Sequence, residues 1–214
     1  MDSIASTLSA RPAPTMNPET AATRPSSPPD RAGALKEAMR VFWERGYEGA
    51  SIQVLVDRTG MHRANLYSAF RSKADLFLEA LDHYMANRLR EVEGFLAAGA
   101  PLDQLRAMAT MQVEGPGPGE PPSCLVLRTT LGQGYDVPGV PERVASFLGS
   151  MRGLFAAAIA RAQEDGSSKS AQEPELLAEV FMVGMQGMCG ARVCDRDEER
   201  RHAVVDQLVR MVAA

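Results

Sequence analysis

The stretch Ser51-Ile-Gln-Val-Leu-Val-Asp-Arg-Thr-Gly60-Met-His-Arg-Ala-Asn-Leu-Tyr-Ser-Ala-Phe70-Arg-Ser-Lys73 decides the fold. In its first half, Ile52, Leu55 and Val56 recur at helical spacing up to Thr59, and Gly60 breaks the run. The second half, from about His62 to Phe70, reads as another helix of roughly two turns. Two short helices joined by a Gly-containing turn are a helix-turn-helix, a pair whose second helix fits the DNA major groove while the first crosses the backbone. The stretch carries Arg58, Arg63, Arg71 and Lys73 against the single acid Asp57. Ile52, Leu55, Val56, Leu66 and Phe70 predict a small core against Leu35 and Phe42 of a preceding helix. That leaves His62, Arg63, Asn65, Tyr67 and Ser68 outward on the second helix, with no acid among them. Arg reads guanine and Asn reads adenine bidentately, while Tyr and Ser suit phosphate oxygens. A solvated face of an ordinary helical bundle has the same composition, and these residues alone divide evenly between the two readings.

Outward from this stretch the helical pattern hardly stops. Leu35, Met39, Phe42 and Trp43 fall on one face of a helix that Asp30 can cap and Gly46 can end. Ser72-Lys-Ala-Asp75 has the form of a capping box and opens a long helix with Leu76, Phe77, Leu81, Tyr84, Met85, Leu89 and Val92 on its apolar face. Pro101 starts a helix reaching about Glu114. Gly115 to Pro122 is too rich in Gly and Pro for regular structure, and a short apolar helix from Ser123 to about Gln133 follows. Pro141 begins another long helix, Gly166 to Glu173 is a polar loop, and Pro174 opens a mostly apolar helix to Arg192. Asp195 with Glu198 forms a second capping-box pattern before a last helix carrying Val204, Val205, Leu208, Val209 and Val212. The sum is about nine helices and no credible strand, an all-α fold. Residues 1–29 hold six of the fourteen prolines and no aromatic residue. Such a segment buries too little apolar area to offset its ordering entropy, and it reads as a disordered Pro-rich tail.

Composition narrows the function. The chain has 214 residues, 45% hydrophobic and 23% charged, which excludes wholesale disorder and collagen-like architecture. No apolar run approaches the roughly 18 residues of a membrane span, no secretory signal is visible, and three cysteines make a disulfide framework improbable; the expectation is a cytoplasmic protein without a membrane partner. The net charge of −4 hides a split: residues 31–90 carry ten Lys/Arg against seven Asp/Glu, and residues 91–214 eleven against seventeen. A basic segment on an acidic body suits a nucleic-acid reader attached to a regulatory domain.

Three runs carry a family resemblance: Phe42-Trp-Glu-Arg-Gly-Tyr-Glu-Gly-Ala-Ser-Ile52, Thr59-Gly-Met-His-Arg-Ala-Asn-Leu-Tyr-Ser-Ala-Phe70 and Ser72-Lys-Ala-Asp-Leu76. Across residues 31–85 the chain resembles the tetracycline-repressor (TetR) family. The resemblance implies an N-terminal three-helix DNA-binding domain over 30–75, then a helical effector-binding and dimerisation domain over 76–214. It implies that Ser51, Tyr67 and Lys73 touch phosphate, and that His62, Arg63, Ala64 and Asn65 face base edges, with Met61 and Ser68 completing the DNA-binding set. A helix N-terminus favours phosphate on physical grounds as well, which suits Ser51 and Lys73. His62 and Ala64-Asn65 depart from the family pattern, in which a small capping residue and then Gly or Pro followed by Thr or Ser are usual. The operator sequence therefore does not transfer from a relative. The implied partners are a palindromic double-stranded DNA operator, a small-molecule effector that releases it, and a second copy of the chain docked through the last two helices; the implied activity is repression.

For the effector, the small and flexible residues around Met185 suit a cavity with Met108 and Met111 and a helix interface equally well, and Gln112, Arg128, Gln133 and Gln186 are the polar groups able to orient a ligand. Ser123-Cys-Leu-Val-Leu127 resembles the start of a helix in one branch of the family. Cys124 there follows a Gly/Pro loop at a helix start, a setting in which thiols become reactive, so a thiol-based electrophile or redox sensor is an alternative to simple ligand release. An enzyme using Cys124 and a histidine is a rival from another class, but no nucleophile–base–orienter set can be assembled. His62, His83 and His202 are dispersed, no phosphate-loop ending is present, and neither a metal nor a cofactor is expected.

Overall fold

A computed structural model describes residues 30–115, 121, 123–194 and 197–214. The Pro-rich tail, most of the Gly/Pro loop and Asp195 lie outside the described residues. Among those described there are nine α-helices and no strand: α1 (Arg31–Gly49), α2 (Ile52–Thr59), α3 (Arg63–Phe70), α4 (Lys73–Ala97), α5 (Pro101–Glu114), α6 (Leu125–Thr130), α7 (Val140–Glu164), α8 (Pro174–Cys194) and α9 (Glu198–Ala213), with a 3-10 turn at Gln133–Asp136 between α6 and α7.

Side-chain caps start several of these helices, because the first amides of a helix have no partner inside it. Asp30 accepts from the Gly33 amide at 2.6 Å, Ser51 from Val54 at 3.3 Å, Ser72 from Asp75 at 3.0 Å and Asp197 from Arg200 at 2.9 Å. Two details differ from the sequence pattern. Asp75 does not reach back to the Ser72 amide; its shorter side chain instead accepts the Ser72 hydroxyl at 2.6 Å. The last helix is capped by Asp197, one residue before its start.

Gly46 does not end α1 outright. It takes φ +71°, interrupting the helix, and one further turn carries the chain to Gly49. The buried stripe of α1 is Ala34, Ala38, Val41 and Phe42, while Leu35, Met39 and Trp43 flank it half-buried. Alanines on that stripe let α1 lie close to α4, and the larger side chains wrap the contact. Helix α6 is shorter than its apolar run, six residues instead of eleven. The chain then tightens into the 3-10 turn, where Gly134 packs under Tyr47 and Phe77; a Cβ there would sit 3.1 Å from Tyr47 Cβ and 3.2 Å from Phe77 Cζ.

Two apolar clusters hold the molecule, and α4 and α7 run through both. The first gathers Phe42, Leu55, Leu66, Phe70 and Phe77 with Leu125, Val140 and Val144; α6 sits on α1 and α4, and α7 on α4. The second joins Val92 and Leu96 of α4 to Leu105 of α5, Phe155 and Ile159 of α7, Phe181 of α8 and Val205 and Val209 of α9. Fully burying a side chain of this kind contributes about 1.5–3 kcal/mol. Helices α8 and α9 meet at Gly184, whose missing side chain leaves the space that Leu208 fills.

Candidate nucleic-acid interface and cavity

The N-terminal helices present one continuous polar surface. Leu66 and Phe70 point into the core, and His62, Arg63, Ala64, Asn65, Tyr67 and Ser68 are exposed on the rest of α3. Residues 66 and 70 are four apart and share the inward face, which turns 64, 65 and 68 outward; Arg63 and Tyr67, each three residues before one of them, lie at the edge of that face and are exposed as well. Met61 is half-buried against the first core and supports the turn. His62 occupies the N-cap of α3 without making a side-chain cap, which leaves its ring exposed at the helix start. The Arg63 guanidinium lies 5.8 Å from the centre of the Tyr67 ring.

Ser51 and Lys73 bracket α3. Ser51 is exposed at the start of α2, its hydroxyl oxygen engaged with the Val54 amide. Lys73 opens α4, and its ammonium sits 4.2 Å from the centre of the Tyr47 ring, which in turn packs on Phe77 at 5.0 Å. This cation–π contact restrains a long side chain beside the start of a helix.

The basic residues of the stretch are not all available. Arg58 donates to Glu44 at 2.9 Å and lies 3.8 Å from Glu37, joining α2 to α1. The hydrogen bond between them lowers the Glu44 pKa and raises that of Arg58. Arg71 pairs with Asp75 at 3.5 Å. Arg58 thus serves the scaffold and Arg71 is paired though exposed, while Arg63 is exposed on α3 itself.

Beneath these helices is a cavity of about 400 Å³, within the usual range for small-molecule sites. Of the residues expected to hold an effector, Met111, Gln112, Cys124, Met185 and Gln186 line it together. Met108 does not; it is buried in the second core, three residues and most of a turn from Met111. Arg128 and Gln133 do not either, and instead line a separate recess of about 410 Å³ beside Tyr47 and Gly46. Sequence reasoning missed Trp43, Tyr84, Arg88 and Arg192, which also line the main cavity. Tyr84 carried a signal, since it lies on the apolar face of a long helix yet ends in a hydroxyl. That hydroxyl donates to Cys124 Sγ at 3.4 Å. Burial, then the neighbouring Cys124, push the Tyr84 pKa well above its ordinary value. Trp43 Nε1 donates to the Ser123 carbonyl, so the cavity wall includes the first helix of the DNA-facing unit.

Cys124 precedes α6, but a six-residue helix develops little dipole, and the Tyr84 contact is its distinctive feature. Cys189 lines the same cavity and Cys194 is exposed. Among the described residues no group of three or more His, Cys, Asp or Glu could hold a metal ion, and no helix is long and apolar enough to cross a membrane.

A helix-turn-helix with an exposed reading helix, set on a larger helical unit with a cavity, defines a DNA-binding transcriptional regulator. The comparisons make the assignment specific. The family described as "Bacterial regulatory proteins, tetR family" matches residues 34–80. The HTH-type transcriptional regulator YezE of Bacillus subtilis is 30% identical over 142 residues, spanning 64% of this chain and 72% of YezE. The HTH-type transcriptional repressor ComR of Escherichia coli is 45% identical over 56 residues, a match that spans 26% of this chain and 27% of ComR. Among solved structures, a cysteine variant of the TetR family transcriptional regulator CifR, in complex with 26-bp double-strand operator DNA, superposes with a TM-score of 0.74 at 30% identity, covering 85% of this chain and 96% of CifR. The chain belongs to the TetR family: it is a DNA-binding transcriptional regulator and not an enzyme.

Proposed function

We propose that the chain is a cytoplasmic repressor that binds a palindromic operator as a homodimer and leaves it when a small molecule fills the cavity. The observation that carries this reading is the exposed face of α3, a helix without an acidic residue, where Arg63 and Asn65 are both exposed between Ser51 and Lys73 in the chain. In this reading residues 30–75 read DNA; Ser51, Tyr67, Ser68 and Lys73 hold phosphates, and His62, Arg63, Ala64 and Asn65 meet bases, with Met61 setting the turn. Residues 76–214 bind the effector and dimerise. Two reading helices would enter successive major grooves with half-site centres about 34–36 Å apart. Repression is supported by the likeness to ComR, a transcriptional repressor, and operator binding by the complex formed by CifR.

The test is fluorescence anisotropy of the full chain against DNA from directly upstream of its own gene, with random duplex as competitor and salt varied. Specific binding about a thousandfold tighter than competitor is expected. If neither that DNA nor any sequence from a randomised-duplex selection binds better than about 10⁻⁶ M at physiological salt, the reading fails.

A second reading of the trigger rests on the Tyr84 hydroxyl held against Cys124 Sγ inside the cavity. Here the effector is an electrophile such as an activated alkene: sulfur adds to the β-carbon, and a solvent proton completes the α-carbon. Pre-treatment with N-ethylmaleimide would then abolish operator binding of the native chain and spare a Cys124→Ser variant. Equal loss in both would remove Cys124 from the mechanism.

A further inference from the structure

We propose that Arg31 is a positioning residue for DNA binding: it clasps the end of α3 to α1 and α4, and so fixes how the exposed face of that helix is presented. This rests on the reading in which that face meets bases. Helix α3 is eight residues long, and of these only Leu66 and Phe70 are buried. Two anchors on one line set how deep a short helix sits and leave its tilt and roll to other contacts. Before its start, the turn is held by the buried Thr59, whose hydroxyl donates to the Leu55 carbonyl at 2.7 Å and accepts from the Met61 amide at 3.3 Å. At its other end the hold comes from Arg31, the first residue of α1 and 38 positions before Ala69 in the chain.

One guanidinium meets a carbonyl, a ring and a carboxylate there. Its Nε donates at 3.4 Å to the Ala69 carbonyl, one of the last of α3 and so without a partner inside the helix. Its central carbon lies 4.6 Å from the centre of the Phe70 ring. Its Nη2 donates to both carboxylate oxygens of Glu79 on α4, at 2.8 and 2.6 Å. A planar fork can serve all of these together, which a point charge on a flexible stem cannot. The two side chains are 54% and 37% exposed, and ion pairs so open contribute little to stability. The consequence of the clasp is geometric. A tilt of α3 displaces Arg63 and Asn65 together, and hydrogen bonds to base edges tolerate little error in place, whereas attraction to phosphate tolerates much. Loss of the clasp therefore shows as lost discrimination between sequences.

The experiment takes the full chain and the tightest duplex from a randomised-duplex selection. Anisotropy compares that duplex with each of its single-base variants and with random duplex, and melting curves confirm that each protein is folded at the assay temperature. Arg31→Ala should lower the ratio of selected to random affinity at least about tenfold, with preference relaxed at several base pairs together. Random-duplex affinity and the salt slope should stay as they are, since no phosphate contact is removed. Glu79→Gln should show the same pattern in weaker form, and it carries the test if Arg31→Ala does not fold. The double variant should lose no more than Arg31→Ala alone, and fully additive losses would overturn the clasp. A salt slope reduced by about 1 with all sequences weakened alike would make Arg31 a phosphate contact and overturn it too. So would a selected-to-random ratio unchanged in the folded single variants, which leaves the contacts a structural role only. Arg63→Ala and Asn65→Ala test the reading of α3 separately, each expected to relax preference at one base pair. If neither changes any preference, or no duplex is selected, that reading fails and the proposal with it. Discrimination lost in those two variants and kept in Arg31→Ala and Glu79→Gln refutes the clasp alone.

Discussion

Arg63 and Lys73 differ in the work assigned to them, although both are cations beside the reading helix. Arg63 is exposed mid-surface, where a fork of donors can meet a guanine edge. Its truncation to Ala should cost about 1–3 kcal/mol on the best operator and relax preference at one position. Lys73 is restrained over Tyr47, and the proposed function gives it a phosphate to hold. Lys73→Ala should weaken all sequences alike and reduce the slope of log K against log salt by about 1. Anisotropy on a set of single-base operator variants separates the two, and identical profiles would refute the division. Glu44 gives a second residue-scale expectation. Arg58 holds its carboxyl below the ordinary value of 4.5, so its contribution is fully present above that value and is lost as pH falls through the lowered one. Because both side chains are more than a third exposed, the contribution is at most about 1 kcal/mol. Urea denaturation should show Glu44→Gln less stable than the native chain at about pH 6, with the gap closing near pH 3.

At the scale of the element, the joint between α3 and α4 is the unusual one. Arg71 takes φ 62° and ψ −56°, and the Ser72 amide donates to the Phe70 carbonyl at 2.6 Å. This is a γ-turn with positive φ, the strained form, at a non-glycine residue. It reverses the chain in a single residue and sets Lys73 immediately after the reading helix. Arg71→Gly removes strain of about 1–3 kcal/mol against a backbone-entropy cost of about 0.5–1 kcal/mol. The Asp75 pair lost with it is exposed and weak. Stability should therefore stay level or rise by about 1 kcal/mol, whereas the β-branched Arg71→Val should fall by about 1–2 kcal/mol. Chemical denaturation of the two variants checks the order; Val above Gly would mean that the turn is not strained.

For the whole molecule, the surface most in need of a partner is that of α8 and α9. Leu176 and Val183 on α8 and Val204 and Met211 on α9 are 56%, 59%, 43% and 44% exposed, although both helices are packed on the second core. Large apolar side chains gathered on two adjacent helices are what an interface between copies would cover. Charging them, as in Val183→Glu combined with Val204→Glu, should convert a dimer to a single chain of 23.1 kDa in light scattering. Operator affinity should drop by about 10²-fold or more, because two linked readers bind together. A double variant that stays dimeric with full affinity would place the interface elsewhere. The cavity also belongs to this scale. Its wall joins α1 to α4, α5, α6, α7 and α8, so a ligand there touches the DNA-facing unit through Trp43 instead of acting only from a distance.

The readable part of this protein was local. Capping side chains act on amides two or three residues ahead, apolar spacing marks a helix within two turns, and Gly60 ends α2 in the left-handed conformation its sequence position suggested. Those rules were enough for an all-α chain, for the helix-turn-helix and for the outward residues of α3, because with Leu66 and Phe70 inward the polar side chains of a two-turn helix fall opposite them or at the edge of their face. Long-range neighbours followed no such rule. Met108 and Met111 look alike in sequence, yet one turn of rotation puts the first in a core and the second in the cavity. Arg58 and Arg63 look alike too, and only the approach of α1 assigns Glu44 to the first. Arg88 and Arg192 meet one cavity from helices more than a hundred residues apart along the chain. The sequence alone determined the class of fold and the exposed polar face of α3, since both rest on interactions within a few residues. Tertiary packing decided which charges are spent on the scaffold and which line the cavity, since that depends on where distant helices come to rest against one another.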